Sequence, residues 1–351
     1  MSQPPENLGP TLGVIVCCRD EALVIARRLT NLALSHWPES DRPHRVIVVD
    51  DHSSDATAKL ATGCMHEVRA NGVEFEVLNS DGRPGKSASI QAGLRKLGSS
   101  VDVIVLTDAD VVNAPDALLE LVKQFSSVHG LGMVCGSQSF VDELPLEGAL
   151  GSSHARNAAG YYDRATAWVR ALESRLGRVF SVHGQWLAWR ADLGLVPREM
   201  LAADDLDLMR QVRLAGKRVV LAPKAHFFER KPARELLRQA QAVRRARAYV
   251  QFVATLEPGE ARDALTRWQW RFYKHVPTAL PLLVAPTCIA ICGIVGGMIW
   301  LHPEGIAMFA LSALAVIAFI GKVVWPKANV IAEAKRLERM KTMDDRWSTA
   351  R

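Results

Sequence analysis

Three pairs of aspartates and two basic residues have the types and spacing that chemistry needs. In "VLTDAD", Asp108 and Asp110 are two residues apart on an extended stretch and so point to one side. Two such carboxylates can share a hard divalent cation with phosphate oxygens, although solvated loop aspartates would give the same letters. In "DGRPGKSASIQAGL", Arg83 and Lys86 sit in a glycine-containing loop before a helix, a setting that can hold an anionic diphosphate. The loop lacks the GxxxxGK[ST] spacing of a P-loop, and the chain has no GxGxxG fingerprint of a dinucleotide fold. In "ADDLDLMRQVRLAG", Asp204 and Asp205 open a helix, where the amide dipole favours anions. They form a second carboxylate station, separate from the first, of the kind that deprotonation of an attacking hydroxyl requires.

These residues need elements that hold them. Val46, Ile47, Val48 and Val49 run without polar alternation, as in a strand buried on both faces, and Asp50 and Asp51 follow at its carboxyl end. Further strands are predicted at 12–18, 75–80, 101–110 and 217–223, with helices over 21–34, 55–70, 87–97, 155–176, 204–216 and 235–249. Alternating strand and helix in the first half predicts an α/β fold with a parallel, doubly wound sheet. Its ligands bind outside the carboxyl ends of the strands, which is where Asp50, Asp51, Asp108 and Asp110 fall. Ser53, Ser54 or Asp55 can serve as the cap of the helix that follows "VDDHSSDAT".

The six cysteines show neither a paired framework nor CxxC spacing, so they are read as reduced, structural thiols. The polar start "MSQPPENLGP" lacks the regions of a secretory signal, which predicts a cytoplasmic location for the first two hundred or so residues. From Val276 to Leu301 no formally charged residue occurs, a run longer than the roughly 20 residues a membrane helix needs. A second apolar run, from Ile306 to Trp325, contains only Lys322. The two predict a transmembrane hairpin with both flanks cytoplasmic, because Arg267, Arg271, Lys274, Lys327, Lys335 and Arg336 surround it. A buried helical hairpin is the alternative. The net charge of +6 is compatible with anionic substrates, anionic lipid or nucleic acid. Its concentration beside the apolar runs favours lipid, and no nucleic acid partner is expected.

"VIVCCRDEALVIARRLTNL", "VIVVDDHSSDAT", "GRPGKSASIQAGL", "VLTDADVV", "HGQWLAWRADL" and "ADDLDLMRQVRLAGKRVVLAPKAHFFE" come in the order found in family 2 glycosyltransferases with a GT-A fold. Over residues 11 to 250 the chain resembles the membrane-bound poly-N-acetylglucosamine, chitin-oligosaccharide, hyaluronan and cellulose synthase group. The resemblance implies a GT-A (nucleotide-diphospho-sugar transferase) fold with a mixed, mainly parallel sheet and flanking helices, plus the C-terminal transmembrane hairpin. It implies an inverting, metal-dependent transfer from a nucleotide sugar, UDP-linked in expectation, to a lipid-linked or saccharide acceptor.

By the same resemblance Asp50 and Asp51 contact the nucleotide, Arg83 and Lys86 lie near its phosphates, and Asp108 and Asp110 hold Mg2+ or Mn2+. Asp205 is the base, with Asp204 beside it. The family's QxxRW motif survives as "QAVRR", where Arg244 and Arg245 can clamp the diphosphate or remain as solvated or lipid-facing charges. Gln185 and Trp186 are expected at the acceptor, with Trp189 as a further platform, although core packing suits either tryptophan equally. The expected organisation is a catalytic domain over 1–233, amphipathic interfacial helices over 234–275, two transmembrane helices over 276–325 and a basic tail over 326–351. The chain is then an integral protein of the plasma (inner) membrane that meets membrane lipids, with homo-oligomerisation left open. A processive exopolysaccharide synthase and a membrane-associated nucleotidyltransferase are the competing readings.

Overall fold

The computed structural model describes residues 8–70, 72–145, 160–199, 201–231, 235–279 and 328–338. It divides into two compact units, Met1–Lys231 and Pro232–Arg351. In the first unit, β1 (Leu12–Cys18), β2 (Arg45–Asp50), β3 (Glu74–Asn79) and β4 (Val103–Asp108) are the four strands that the apolar runs predict. They pair in parallel, β1 between β2 and β4 and β2 also against β3. Every residue of β1 is buried, which is why its sequence shows no polar alternation. Helices α1 (Ile25–Ala33), α2 (Thr57–Gly63), α3 (Met65–Arg69) and α4 (Lys86–Leu97) provide the crossovers. The single helix expected over 55–70 is therefore two short ones, joined at Cys64.

The second half of the sheet corrects the all-parallel reading and agrees with the mixed sheet that the resemblance implies. After β5 (Val111–Asn113), α5 (Ala117–Ser127), β6 (Leu131–Val141) and α6 (Tyr161–Arg175) come β7 (Trp186–Arg190), α7 (Asp204–Leu214) and β8 (Arg218–Arg230). The order across the sheet is β3-β2-β1-β4-β7-β6-β8-β5. β7 runs antiparallel to both β4 and β6, β5 runs antiparallel to β8, and β6 and β8 are parallel.

Trp186 is where this half locks onto the first. It pairs with Thr107 across the β4–β7 ladder and is fully buried. A Cβ added at Gly136 on β6 would come within 2.2 Å of its Cδ1 and 2.8 Å of the Ala225 carbonyl oxygen. One of those neighbours is backbone, so the clash is not relieved by a rotamer. Gly136→Ala is expected to cost about 1–3 kcal/mol, by the usual penalty of overpacking, read as a lower midpoint of denaturant unfolding.

In the second unit, α8 (Glu235–Ala254) and the helices over 264–279 and 328–338 carry the described residues in regular structure, apart from a short 3-10 turn, Pro258–Glu260. Glu338 accepts from Arg247 Nε at 2.9 Å and from Gln251 Nε2 at 3.0 Å, and Lys335 donates to the Thr278 carbonyl. No described helix is long and apolar enough to cross a membrane. Most of the two expected transmembrane helices, residues 280–325, lies outside the described residues, as does most of the basic tail.

Candidate functional site

The site forms where the strand order departs from β1 to either side. Asp50 and Asp108 end β2 and β4, and across the ladders they face Cys18 and Cys17 of β1. The loops after β1 and β2 are sewn together. Asp20 Oδ1 accepts the Ser54 amide at 2.7 Å and its hydroxyl at 3.0 Å, and the Asp20 amide donates to Ser53 Oγ at 2.9 Å. Asp20 and His52 both adopt positive φ, 54° and 59°, a backbone cost that collects in functional loops. Asp55 accepts the Thr57 amide at 2.9 Å and the Ala22 amide at 3.1 Å, so it serves as a loop and helix-start anchor.

Asp50 and Asp51 are both buried. Asp50 accepts the Ser53 amide at 3.3 Å and the Ser53 hydroxyl. Asp51 accepts the Gly85 amide at 2.9 and 3.0 Å, with Arg19 3.8 Å and His52 3.3 Å away. Gly85, at φ 148°, ends the "DGRPG" loop in a conformation that L side chains rarely adopt. The next residue, Lys86, opens α4 and joins the two carboxylate stations. Its Nζ lies 2.6 Å from Asp108 Oδ1 and 3.8 Å from Asp204 Oδ2. Burial alone would lower its pKa, but Asp108 and Asp204 outweigh that and hold it above the ordinary lysine value.

Asp110 reaches the surface, yet the walls around it desolvate it. That desolvation, with the Asp108 and Glu229 carboxylates, pushes its pKa up to about 6. Glu21, at the end of the β1 loop, is pushed up to about 7 by burial and then by Asp110 and Asp108. Excess negative charge made of carboxylate oxygens suits a hard divalent cation, so Asp108 and Asp110 fit Mg2+ or Mn2+. Among the described residues no three metal-ligating side chains converge, so a cation on this pair would take its other oxygens from a ligand or water.

Asp204 and Asp205 open α7 as the sequence predicts. Asp205 is held by backbone amides, Leu206 at 2.8 Å and Gly184 at 3.3 Å, while Asp204 is buried, its Oδ2 without a hydrogen-bond partner among the described residues. Burial raises both carboxyls, Asp204 to about 7, against the opposing Lys86. Because the folded carboxyl near 7 lies above its ordinary value of 3.8, the folded state holds the proton more tightly. The contribution of Asp204 to stability is thus fully present below 3.8 and is lost as pH rises through 7. Burial raises the Asp205 carboxyl as well, so the acid limb of kcat/KM is expected above the ordinary carboxylate range, an outcome a pH–rate profile checks.

The structure brings Asp50, Asp51, Lys86, Asp108 and Asp110 to one end of the sheet, and Asp204 joins them through Lys86. Arg83 is exposed in the loop that leads into Lys86. Trp186 requires correction: with Trp189 it is fully buried, so neither ring offers a face to an acceptor. Both faces of β7 are covered, which strand alternation could not reveal. Gln185 is half-buried and donates to Glu229 Oε2 at 3.3 Å. Arg244 and Arg245 lie on α8, in the second unit.

Sequence reasoning missed Arg19, Glu21 and Glu229. The strand-end rule that picks out Asp50 and Asp108 would also have found "CRDE" after β1, whereas Glu229 depends on the antiparallel part of the sheet. Cys17, Cys18, Cys64 and Cys135 are buried and free, and burial raises each thiol, Cys18 and Cys135 to about 12, as inert structural thiols require.

A family model described as "Glycosyltransferase like family 2" matches residues 10–269. The poly-beta-1,6-N-acetyl-D-glucosamine synthase of Staphylococcus aureus (strain COL) is 22% identical over 225 residues, 64% of this chain and 51% of that protein. The synthase of Staphylococcus epidermidis is 21% identical over 193 residues, 55% of this chain and 43% of that protein. The match thus spans about half the length of these curated relatives or less. Among solved structures, the mannosyltransferase PcManGT from Pyrobaculum calidifontis in complex with GDP-Man and Mn2+ has a TM-score of 0.65 at 20% identity, covering 94% of this chain and 87% of that one. Staphylococcus aureus TarS 1-349 has a TM-score of 0.51 at 15% identity, covering 93% and 91%. Both are likenesses of fold, and that fold is GT-A-like.

Proposed function

We propose, from the premise that this chain belongs to glycosyltransferase family 2 and is a glycosyltransferase, that it moves a sugar with inversion from a nucleotide sugar to an acceptor hydroxyl at a membrane. The observation that carries this reading is the reach of Lys86. One ammonium lies 2.6 Å from the strand-end Asp108 and 3.8 Å from Asp204 at the start of α7. The strand-end carboxylate and the carboxylate at the start of α7 therefore lie within reach of one ammonium, the proximity that a single in-line displacement needs.

Asp205 takes the proton of the acceptor hydroxyl at a carboxylate oxygen. Its orientation is set by the Gly184 and Leu206 amides. As the acceptor oxygen bonds to the anomeric carbon, the bond from that carbon to the diphosphate oxygen breaks, and the electron pair leaves with the diphosphate. Asp51, fixed by the Gly85 amide, and Asp50 orient the nucleoside. Lys86 then has phosphate oxygens as well as Asp108 within the range of its charge. A divalent cation on Asp108 and Asp110 would supply neutralisation of the departing diphosphate. UDP is our proposed nucleotide, and a lipid-linked or membrane-proximal hydroxyl the proposed acceptor, from the apolar runs that flank Glu304 and the basic residues around them.

The test is nucleoside diphosphate release from a panel of UDP- and GDP-sugars, with Mg2+ or Mn2+ and membrane lipid extract. Cation-dependent release from one donor is expected. No release from any donor, with a nucleoside triphosphate consumed instead, overturns the reading. A processive exopolysaccharide synthase is the second reading, favoured by the likeness to the poly-N-acetylglucosamine synthases. Long labelled product from purified protein would select it.

A further inference from the structure

Behind the strand end that carries Asp108 and Asp110 lies a buried cation served by neutral oxygens. Arg28 on α1 is fully buried, and its guanidinium lies over the Trp186 ring at 5.2 Å. Its Nη1 donates to Asn31 Oδ1 at 2.7 Å and to Asn113 Oδ1 at 2.6 Å, and its Nη2 donates to Thr107 Oγ1 at 2.8 Å. Its Nε has no partner among the described residues. Burying a charge without a paired carboxylate is costly, so such a residue is not a neutral filler of the core.

The partners of Arg28 explain what it can do. Thr107 immediately precedes Asp108, and Asn113 lies three residues beyond Asp110, so one planar fork grips both ends of the segment that carries the two carboxylates. Asn31, nearly one turn further along α1, doubles the grip at the far end. Its Oδ1 accepts the Asn113 amide and its Nδ2 donates to the Asn113 carbonyl, both at 2.9 Å. The Thr107 hydroxyl, in turn, donates to the Gln185 carbonyl at 2.9 Å, which ties the near end to the residue before β7. Burial lowers the pKa of Arg28 to about 9, with Asp108 and Asp110 acting against that, so the fork stays charged at neutral pH.

We infer that Arg28 is a positioning residue for the cation-binding carboxylates, its guanidinium fixing the span from Thr107 to Asn113 and with it the mutual placement of Asp108 and Asp110. The inference rests on the proposed cation role of that pair. Lysine keeps the charge but lacks the fork, and methionine keeps much of the volume but lacks both.

The experiment uses the full chain as wild type, Arg28→Lys, Arg28→Met and Thr107→Val. Mn2+ is titrated alone and with UDP, read by the spin-resonance signal of the free ion, and backbone hydrogen exchange is followed in parallel. Weakening of Mn2+ binding by tenfold or more is expected in all three variants. Faster exchange over 107–113, with β1 unchanged, is expected beside it. Affinity retained in Arg28→Lys shows that charge and not span matters, and tighter binding in Arg28→Met shows a mere competing cation; either overturns the inference.

If the Arg28 variants do not fold, Thr107→Val decides, because it leaves Arg28 and its Asn113 arm in place while removing the Thr107 arm and the bond to the Gln185 carbonyl; unchanged affinity and unchanged exchange there overturn the inference too. If wild type binds no Mn2+, the cation reading falls, and exchange alone decides whether the clamp exists.

Discussion

Asp205→Asn is expected to lower kcat for sugar transfer by roughly 10²–10⁴-fold, the usual contribution of a positioned general base. Donor binding should stay close to that of wild type. Asparagine keeps the shape and an oxygen that can still accept the Leu206 or Gly184 amide, so the start of α7 need not rearrange. What it loses is the site that takes the proton. The folded protein should be no less stable at neutral pH, because burial already raises the Asp205 carboxyl and its ionised form is the disfavoured one. Single-turnover transfer measured beside donor calorimetry separates these effects. A variant within threefold of wild-type kcat would assign the proton to another group, and Asp204, pushed up to about 7 a residue away, would be examined next.

Asp110→Asn is expected to act on the other half of the reaction. Neutralising the departing diphosphate is worth several kcal/mol, and each 1.36 kcal/mol is tenfold in rate, so a loss of at least about 10²-fold follows. Unlike the loss at Asp205, it should shrink as Mn2+ is raised, because the remaining carboxylate of Asp108 still offers a weak site. Asp108 alone is a poor substitute, since one of its oxygens already lies 2.6 Å from Lys86. Activity of Asp110→Asn that matches wild type at every Mn2+ concentration would remove Asp110 from the cation site.

The placement of the strand-end carboxylates was legible because its logic is local. A run such as Val46 to Val49 declares a strand buried on both faces, and the next residues must lie at its carboxyl end. Asp204 at the start of α7 was legible for a similar reason, through helix-start chemistry and the motif order. The rest depends on distant pairing. β5 has three residues, and Phe228 pairs with Val112 from more than a hundred positions away, so no window of sequence reports it. Trp186 looked available because aromatic residues suit both a core and a sugar face, and only the Gly136 contact and the two flanking strands decide between them. Arg28 reads as one more basic residue on an amphipathic helix until Thr107 and Asn113 are seen on either side of it.

The sheet order has a last consequence, for the timing of synthesis. Strands β3, β2, β1 and β4 are adjacent in space and come from the first part of the chain, so Asp50, Asp51, Lys86 and Asp108 all leave the ribosome before the second half of the sheet. Asp205 and Glu229 emerge roughly a hundred residues later, which at about 5–20 residues per second is a delay of seconds. Throughout that interval the growing chain carries the residues assigned to the donor without the base that would use it. On the proposed assignment of Asp205 as the base, a partly made copy has no route to transfer a sugar, and competence arrives only with the second half of the sheet.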